Sequence, residues 1–262
     1  MLSTRLRTAA VALPSLLAAI IFAPNCLFAL LIAVLGAWGL YEVGAMTRAD
    51  SAPARTLLIV AGVGSAALVL GASGPWSSVA PAVMFLVMLA LLARTAMSGP
   101  QERFGDLRLT LIGAAYVGAF FPYFALLRNQ EGGVALVILM LLLVIACDSG
   151  AYFAGSHFGR IKLAPRVSPN KTVEGAAGGL LAAAAAGLIL RPMLVPRWNL
   201  AQTLTVSLAV AALAVFGDLA GSALKRAAGV KDSGWIFPGH GGLIDRTCSL
   251  VFAAVFTYYY AR

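Results

Sequence analysis

Charge is what this chain has least of. Of its 262 residues only 11% are Asp, Glu, Lys or Arg, against about 25% in a soluble domain. Hydrophobic residues make up 61%, and the mean hydropathy is +0.91. That combination excludes an ordinary water-soluble fold. It points to a polytopic membrane protein, whose core faces lipid, so length is no guide to domain count. Cysteine is scarce too: Cys26, Cys147 and Cys248 are scattered and odd in number. Without a CxxC pair they give neither a disulfide framework nor a zinc site. Acidic residues number 10 against 19 basic ones, a net charge of +9. Between membrane spans such an excess sets orientation, and nucleic acid is not read as a partner.

What the chain has in plenty is apolar runs. A span needs about 20 apolar residues, somewhat fewer if irregular. Nine candidates fit: 8–23, 26–46, 56–72, 77–93, 107–127, 133–155, 173–190, 201–224 and 243–260. The expected fold is all-α, a polytopic helical bundle of about nine transmembrane helices. Residues 1–130 hold the N-terminal spans, and residues 131–262 form the region that carries the chemistry. The N-terminus, MLSTRLRTAAVALPSLLAAIIF, resembles a signal peptide. No clear small-residue cleavage site precedes the next span, so it is expected to remain as the first helix. A cytoplasmic N-terminus places every lysine and arginine on the cytoplasmic side except Arg128, Arg191, Arg197 and Arg262. The positive-inside rule favours that orientation. It also puts the two polar loops, 156–172 and 225–242, on the side where nucleotides are.

The first 130 residues contain no dense polar cluster. Glu42, beside Tyr41 near the end of the second span, reads as an interfacial or helix-paired carboxylate. Past residue 140 the acidic residues are Asp148, Glu174, Asp218, Asp232 and Asp245, and all lie in polar, Gly-containing motifs. A carboxylate in hydrocarbon needs a metal, a base or water. Asp148, late in the sixth span, is either such a ligand or a helix-packing hydrogen bonder. Ser149, Gly150 and Ala151 beside it form a small-residue surface.

The loop 155–171 holds Arg160, Lys162, Arg166 and Lys171, and ends in Ser168-Pro169-Asn170-Lys171-Thr172 before a helix. Ser168 or Asn170 is expected to cap that helix, whose N-terminal amides favour an anion. The plainer alternative is a positive-inside loop with a capped helix. Glu174 in the first turn suits the helix dipole.

The densest stretch is 217–246, GDLAGSALKRAAGVKDSGWIFPGHGGLIDR. Asp218, Ser222, Lys225 and Gly229 step by four, three and four and are expected on one helix face, with Arg226 alongside. Pro238-Gly239 and Gly241-Gly242 force a tight path and expose amides. His240 between them reads as a phosphate contact or proton carrier. Carboxylates from separate helices, joined by phosphate oxygens, are what a hard ion such as Mg²⁺ needs.

At these residues the chain resembles the phosphatidate cytidylyltransferases, also called CDP-diacylglycerol synthases. The resemblance rests on Ser222-x-x-Lys225-Arg226, Lys231-Asp232-x-Gly234, and Pro238-Gly239-His240-Gly241-Gly242-x-x-Asp245-Arg246. Upstream it rests on Asp148-Ser149-x-Ala151-Tyr152, Gly159-Arg160, Ser168-Pro169-x-Lys171-Thr172-x-Glu174-Gly175 and Gly217-Asp218-Leu219. There are two departures. Cys248 stands where the family usually has an aspartate, and Gly221 where it usually has a glutamate; a thiol is a poor ligand for Mg²⁺.

The resemblance implies that CTP and phosphatidic acid react, at a site facing the cytoplasm of a bacterial inner membrane, to give CDP-diacylglycerol and pyrophosphate. One or two Mg²⁺ ions would be held by Asp218 and Asp245, with Asp148 as a further ligand or outer group. Lys225, Arg226, Lys231, His240 and Arg246 would handle the phosphates. Ser168, Asn170, Lys171, Ser222, Asp232, Gly239, Gly241 and Gly242 would bind substrate. A homodimer is compatible with this reading. The competing classes are a membrane lipid or polyprenol kinase and an ion-coupled transporter. No paired inverted half supports the transporter. The aspartate pattern of the CDP-alcohol phosphotransferases is absent.

Overall fold

A computed structural model of the chain describes residues 14–47, 52–70, 104–236 and 241–262. The expected span 77–93 lies outside these residues, as do Gly239 and His240. The chain divides into two compact units, Met1–Asn129 with Leu224–Arg246, and Gln130–Ala223 with Thr247–Arg262.

In the first unit residues 14–22 are helical. They are followed by α1 (Asn25–Thr47), α2 (Ala52–Leu70), α3 (Phe104–Phe120) and the short α4 (Pro122–Arg128). These helices are apolar on all sides, so small residues rather than an amphipathic stripe decide how they approach. Gly36 of α1 faces Phe121 and Ser65, and Gly118 of α3 meets Ala61 of α2. Leu57, Val43, Val117, Phe121 and Leu127 are buried between them. The α3–α4 joint falls at Phe121, because Pro122 has no N–H to continue the helix. Buried Arg128 ties the unit's ends together. It donates to Ile20 O at 2.9 Å, Ala23 O at 2.7 Å and Asn25 Oδ1, and its guanidinium lies 5.2 Å from the Phe28 ring centre.

In the second unit α5 (Gly133–Phe158) leads through a hairpin into α6 (Val173–Leu194), followed by α7 (Leu200–Ala227) and α8 (Leu243–Ala261). The division into units falls inside α7 and α8. Helices α5 and α6 pack through small residues. A side chain at Gly150 would run into Ala182 and the Gly178 carbonyl, and one at Gly179 would meet Cys147. Asn199 and Gln202 cap α7 reciprocally, at 2.8 and 2.9 Å.

The all-helical expectation needs correction at 162–172. Strands β1 (Lys162–Ala164) and β2 (Ser168–Thr172) form an antiparallel hairpin pairing Lys162 with Thr172 and Ala164 with Ser168. Pro165 occupies the second turn position, where its fixed φ is favoured, and Val167 N donates to Ala164 O at 3.1 Å. The cap of α6 is Thr172, whose Oγ1 accepts from Gly175 N at 3.1 Å. Ser168 and Asn170 lie in β2 and do not cap.

A second correction concerns Gly229. Helix α7 ends at Ala227, and Gly229 has φ +74°. Gly229 N donates to Arg226 O and Val230 N to Lys225 O. This is a glycine-terminated helix end rather than part of a helix face.

Among the described residues five helical stretches are long and apolar enough to cross a membrane: Asn25–Thr47, Leu109–Arg128 (α3 continued by α4), Gly133–Phe158, Val173–Leu194 and Leu200–Ala227. They mark an integral membrane protein.

Candidate active site

Each unit carries its own charged cluster. In the second unit the end of α5, the hairpin, the start of α6 and the middle of α7 line a cavity of about 520 Å³. Asp148, Ser168, Asn170, Lys171 and Asp218 face it. Lys171 Nζ lies 2.5 Å from Asp218 Oδ2. The hairpin makes this possible: Lys171 sits at the end of β2, one residue before the Thr172 cap. Glu174 secures the hairpin's entry by accepting from Arg160 N at 3.1 Å and Ile161 N at 3.2 Å. The sequence suggested only a dipole role for this side chain.

Asp218 has a second neighbour. Cys248 Sγ is 3.5 Å from Asp218 Oδ1. The approach requires Gly217, because a Cβ there would collide with the Cys248 carbonyl. The thiol at the position that departs from the family pattern therefore touches one of the expected metal-binding carboxylates. Ser222 is half-buried on the same helix.

In the first unit Lys225 Nζ is paired with Asp245 Oδ1, both side chains largely enclosed. The other oxygen, Oδ2, accepts from Ser233 N at 2.9 Å, Ser233 Oγ at 3.1 Å and Gly242 N at 2.9 Å. Gly241 has φ +83° and turns the backbone around this carboxylate. The Gly242 amide, expected to meet phosphate, is here given to Asp245. Arg226, Lys231, Asp232 and Arg246 are exposed. Glu42 joins the same cluster through Ser233 Oγ, at 2.8 Å. The sequence reads Glu42 as an interfacial or helix-paired carboxylate; it is helix-paired, and the signal for a partner was a carboxylate inside an apolar run with Trp38 one turn earlier.

Among the described residues no group of three or more His, Cys, Asp or Glu side chains is arranged to hold a metal. Asp218 and Asp245 are instead each paired with a lysine, and Glu42 is held by hydroxyl, indole and amide donors.

A profile of the cytidylyltransferase family matches residues 3–262. The chain belongs to the cytidylyltransferase family. Known proteins similar to this chain include a phosphatidate cytidylyltransferase of Bacillus subtilis (strain 168), 36% identical over 178 residues. That match covers 68% of this chain and 66% of the Bacillus protein. A phosphatidate cytidylyltransferase of Staphylococcus epidermidis (strain ATCC 12228 / FDA PCI 1200) is 36% identical over 181 residues, covering 69% of each chain. The uncharacterized protein YnbB of Escherichia coli (strain K12) is 37% identical over 191 residues, covering 68% of this chain and 64% of YnbB. The chain thus spans just under two thirds of the length of the Bacillus and Escherichia relatives.

Proposed function

We propose that this protein is a phosphatidate cytidylyltransferase, transferring CMP from CTP to phosphatidate to give CDP-diacylglycerol and pyrophosphate. The observation that carries the reading is the Lys171–Asp218 pair facing a cavity in a membrane protein of the cytidylyltransferase family. Two relatives carrying the phosphatidate cytidylyltransferase name support the choice of substrates.

A phosphate oxygen of phosphatidate attacks the α-phosphorus of CTP. A new P–O bond forms, the bond from α-phosphorus to the bridging oxygen breaks, and pyrophosphate leaves with that electron pair. The nucleophile is already anionic, so little general-base work is needed. Catalysis rests on positioning and on neutralising charge. Lys171, with Ser168 and Asn170 beside it, takes phosphate oxygens from the hairpin side. Lys225, Arg226, Lys231 and Arg246 neutralise triphosphate and phosphatidate. Asp232, Gly241 and Gly242 shape the loop, and His240 with Gly239 contacts phosphate.

Mg²⁺ binds through one or two carboxylates and substrate oxygens rather than a full protein cage. Asp148 and Asp218 fit that requirement, since both line one cavity. Asp245 fits once Lys225 has turned to a phosphate, because its oxygens are otherwise taken by donors. When bound, the ion would neutralise charge building on the phosphate oxygens.

The remaining features follow from the same reading. The protein has about nine spans, with a cytoplasmic N-terminus. It resides in a bacterial inner membrane, with CTP entering from the cytoplasm and lipid from the side. The test is an assay of detergent-solubilised protein with phosphatidate and CTP, dCTP or ATP, with and without Mg²⁺. CTP-dependent pyrophosphate release matched by CDP-lipid supports the proposal. Release of nucleoside diphosphate rejects it in favour of a kinase.

A further inference from the structure

Glu42 is 2% exposed, inside a helix that is apolar on every side. Four donors converge on it. Trp38 Nε1 and Leu243 N reach Oε1 at 3.2 and 2.8 Å. Ser233 Oγ and Ile244 N reach Oε2 at 2.8 and 3.1 Å. Two of these donors are the first amides of α8. The carboxylate therefore does, from 201 residues away, what an N-cap side chain does within its own segment, and it lies at the positive end of the helix dipole.

The glycines of the loop explain themselves around the same group. A Cβ at Gly234 would come within 2.6 Å of Glu42 Oε1, and one at Gly242 within 2.5 Å of Oε2. The motif glycines on either side of residues 235–241 thus leave space for this carboxylate. The link to the charged cluster is Ser233. Its hydroxyl has one proton and two carboxylates within reach, Glu42 Oε2 at 2.8 Å and Asp245 Oδ2 at 3.1 Å. It can donate to only one of them at a time.

We propose that Glu42 is a positioning residue for the phosphate site, holding Ser233 and the first turn of α8 so that Asp245 is presented to Lys225. This rests on the reading of Lys225 and Asp245 as groups that handle the substrate. When Lys225 leaves Asp245 for a phosphate, Asp245 loses its ammonium donor. The Ser233 hydroxyl then turns from Glu42 to Asp245 Oδ2, holding the carboxylate in place with Oδ1 left free, while the three other donors keep Glu42 satisfied.

The test compares Glu42→Gln, Glu42→Asp and Ser233→Ala with the wild type in detergent. One readout needs no substrate: acylation of the Lys225 amine, measured by peptide mass spectrometry against the exposed Lys162. Positioning predicts faster modification of Lys225 in Glu42→Gln and Ser233→Ala, by about threefold or more, with Ser233→Ala keeping the wild-type thermal midpoint. It also predicts kcat for CMP transfer lower by about 10- to 100-fold with KM for phosphatidate within about twofold, and partial recovery in Glu42→Asp. A purely structural role would lower thermal stability and active fraction together and leave the surviving enzyme's kcat and its Lys225 reactivity unchanged. That result overturns the proposal. Should Glu42→Gln fail to fold, Ser233→Ala decides alone. If the wild type transfers no CMP, the reading of the site fails, and Lys225 reactivity still decides whether Glu42 positions it.

Discussion

Lys171 Nζ lies 2.5 Å from Asp218 Oδ2, with the two side chains 26% and 37% exposed. At such exposure an ion pair contributes about 0–1 kcal/mol to stability. Its value therefore lies in holding an ammonium and a carboxylate at one cavity wall before ligand arrives. Lys171→Ala is expected to shift the thermal midpoint by no more than a few degrees. It should lower kcat/KM for CTP by about 10²- to 10³-fold, as loss of a preorganised electrostatic group does. Steady-state kinetics with differential scanning fluorimetry separate the two effects.

Thr172 joins the hairpin to α6 through its Oγ1, which accepts from Gly175 N. Thr172→Ala removes the cap and should cost about 1 kcal/mol, whereas Thr172→Ser should cost only a few tenths. Because Lys171 is adjacent, KM for CTP should rise in the alanine variant and recover in the serine variant. Thermal midpoints and CTP titrations of both variants check this.

Gly217 faces the Cys248 carbonyl without room for a Cβ. Gly217→Ala forces α7 and α8 apart and is expected to cost about 1–3 kcal/mol. Gly217→Val should cost more. The loss should appear as a lowered thermal midpoint before any assay is run, and activity should fall with it because Asp218 is the next residue.

Chelation of divalent cations is expected to abolish turnover, and added Mg²⁺ to restore it. Asp148→Asn should raise the Mg²⁺ concentration for half-maximal activity by about tenfold, and Asp218→Asn by more, if both carboxylates serve the ion. Magnesium titrations of purified protein at saturating CTP test this. Equal requirements in wild type and both variants would remove these residues from the metal.

The parts of this molecule legible in its sequence are those whose cause is local. The spans are long apolar runs, and Asp148 and Asp218 stand out because a carboxylate among apolar residues needs a partner. The hairpin 162–172 was hidden for a local reason too: its strands are short and basic, show no alternation, and include Pro169 within β2. The partners of Glu42 were hidden for a different one. Its partner Ser233 is 191 residues away, and no periodicity in either segment announces that meeting. Lys225 was expected on one wall with Asp218. Each proves to have its own partner, Asp245 and Lys171 respectively. Helical spacing says which residues share a face but not what the face meets.

The central claim is that this site moves a nucleotidyl group onto a lipid phosphate. It is tested most directly by giving purified protein phosphatidate, Mg²⁺ and CTP radiolabelled at either the α- or the γ-phosphate, then following the label into the lipid extract. The account predicts α-label in the lipid, γ-label in pyrophosphate, and neither transfer in Asp218→Asn. Label from the γ-phosphate in the lipid, or undiminished transfer in Asp218→Asn, would contradict it.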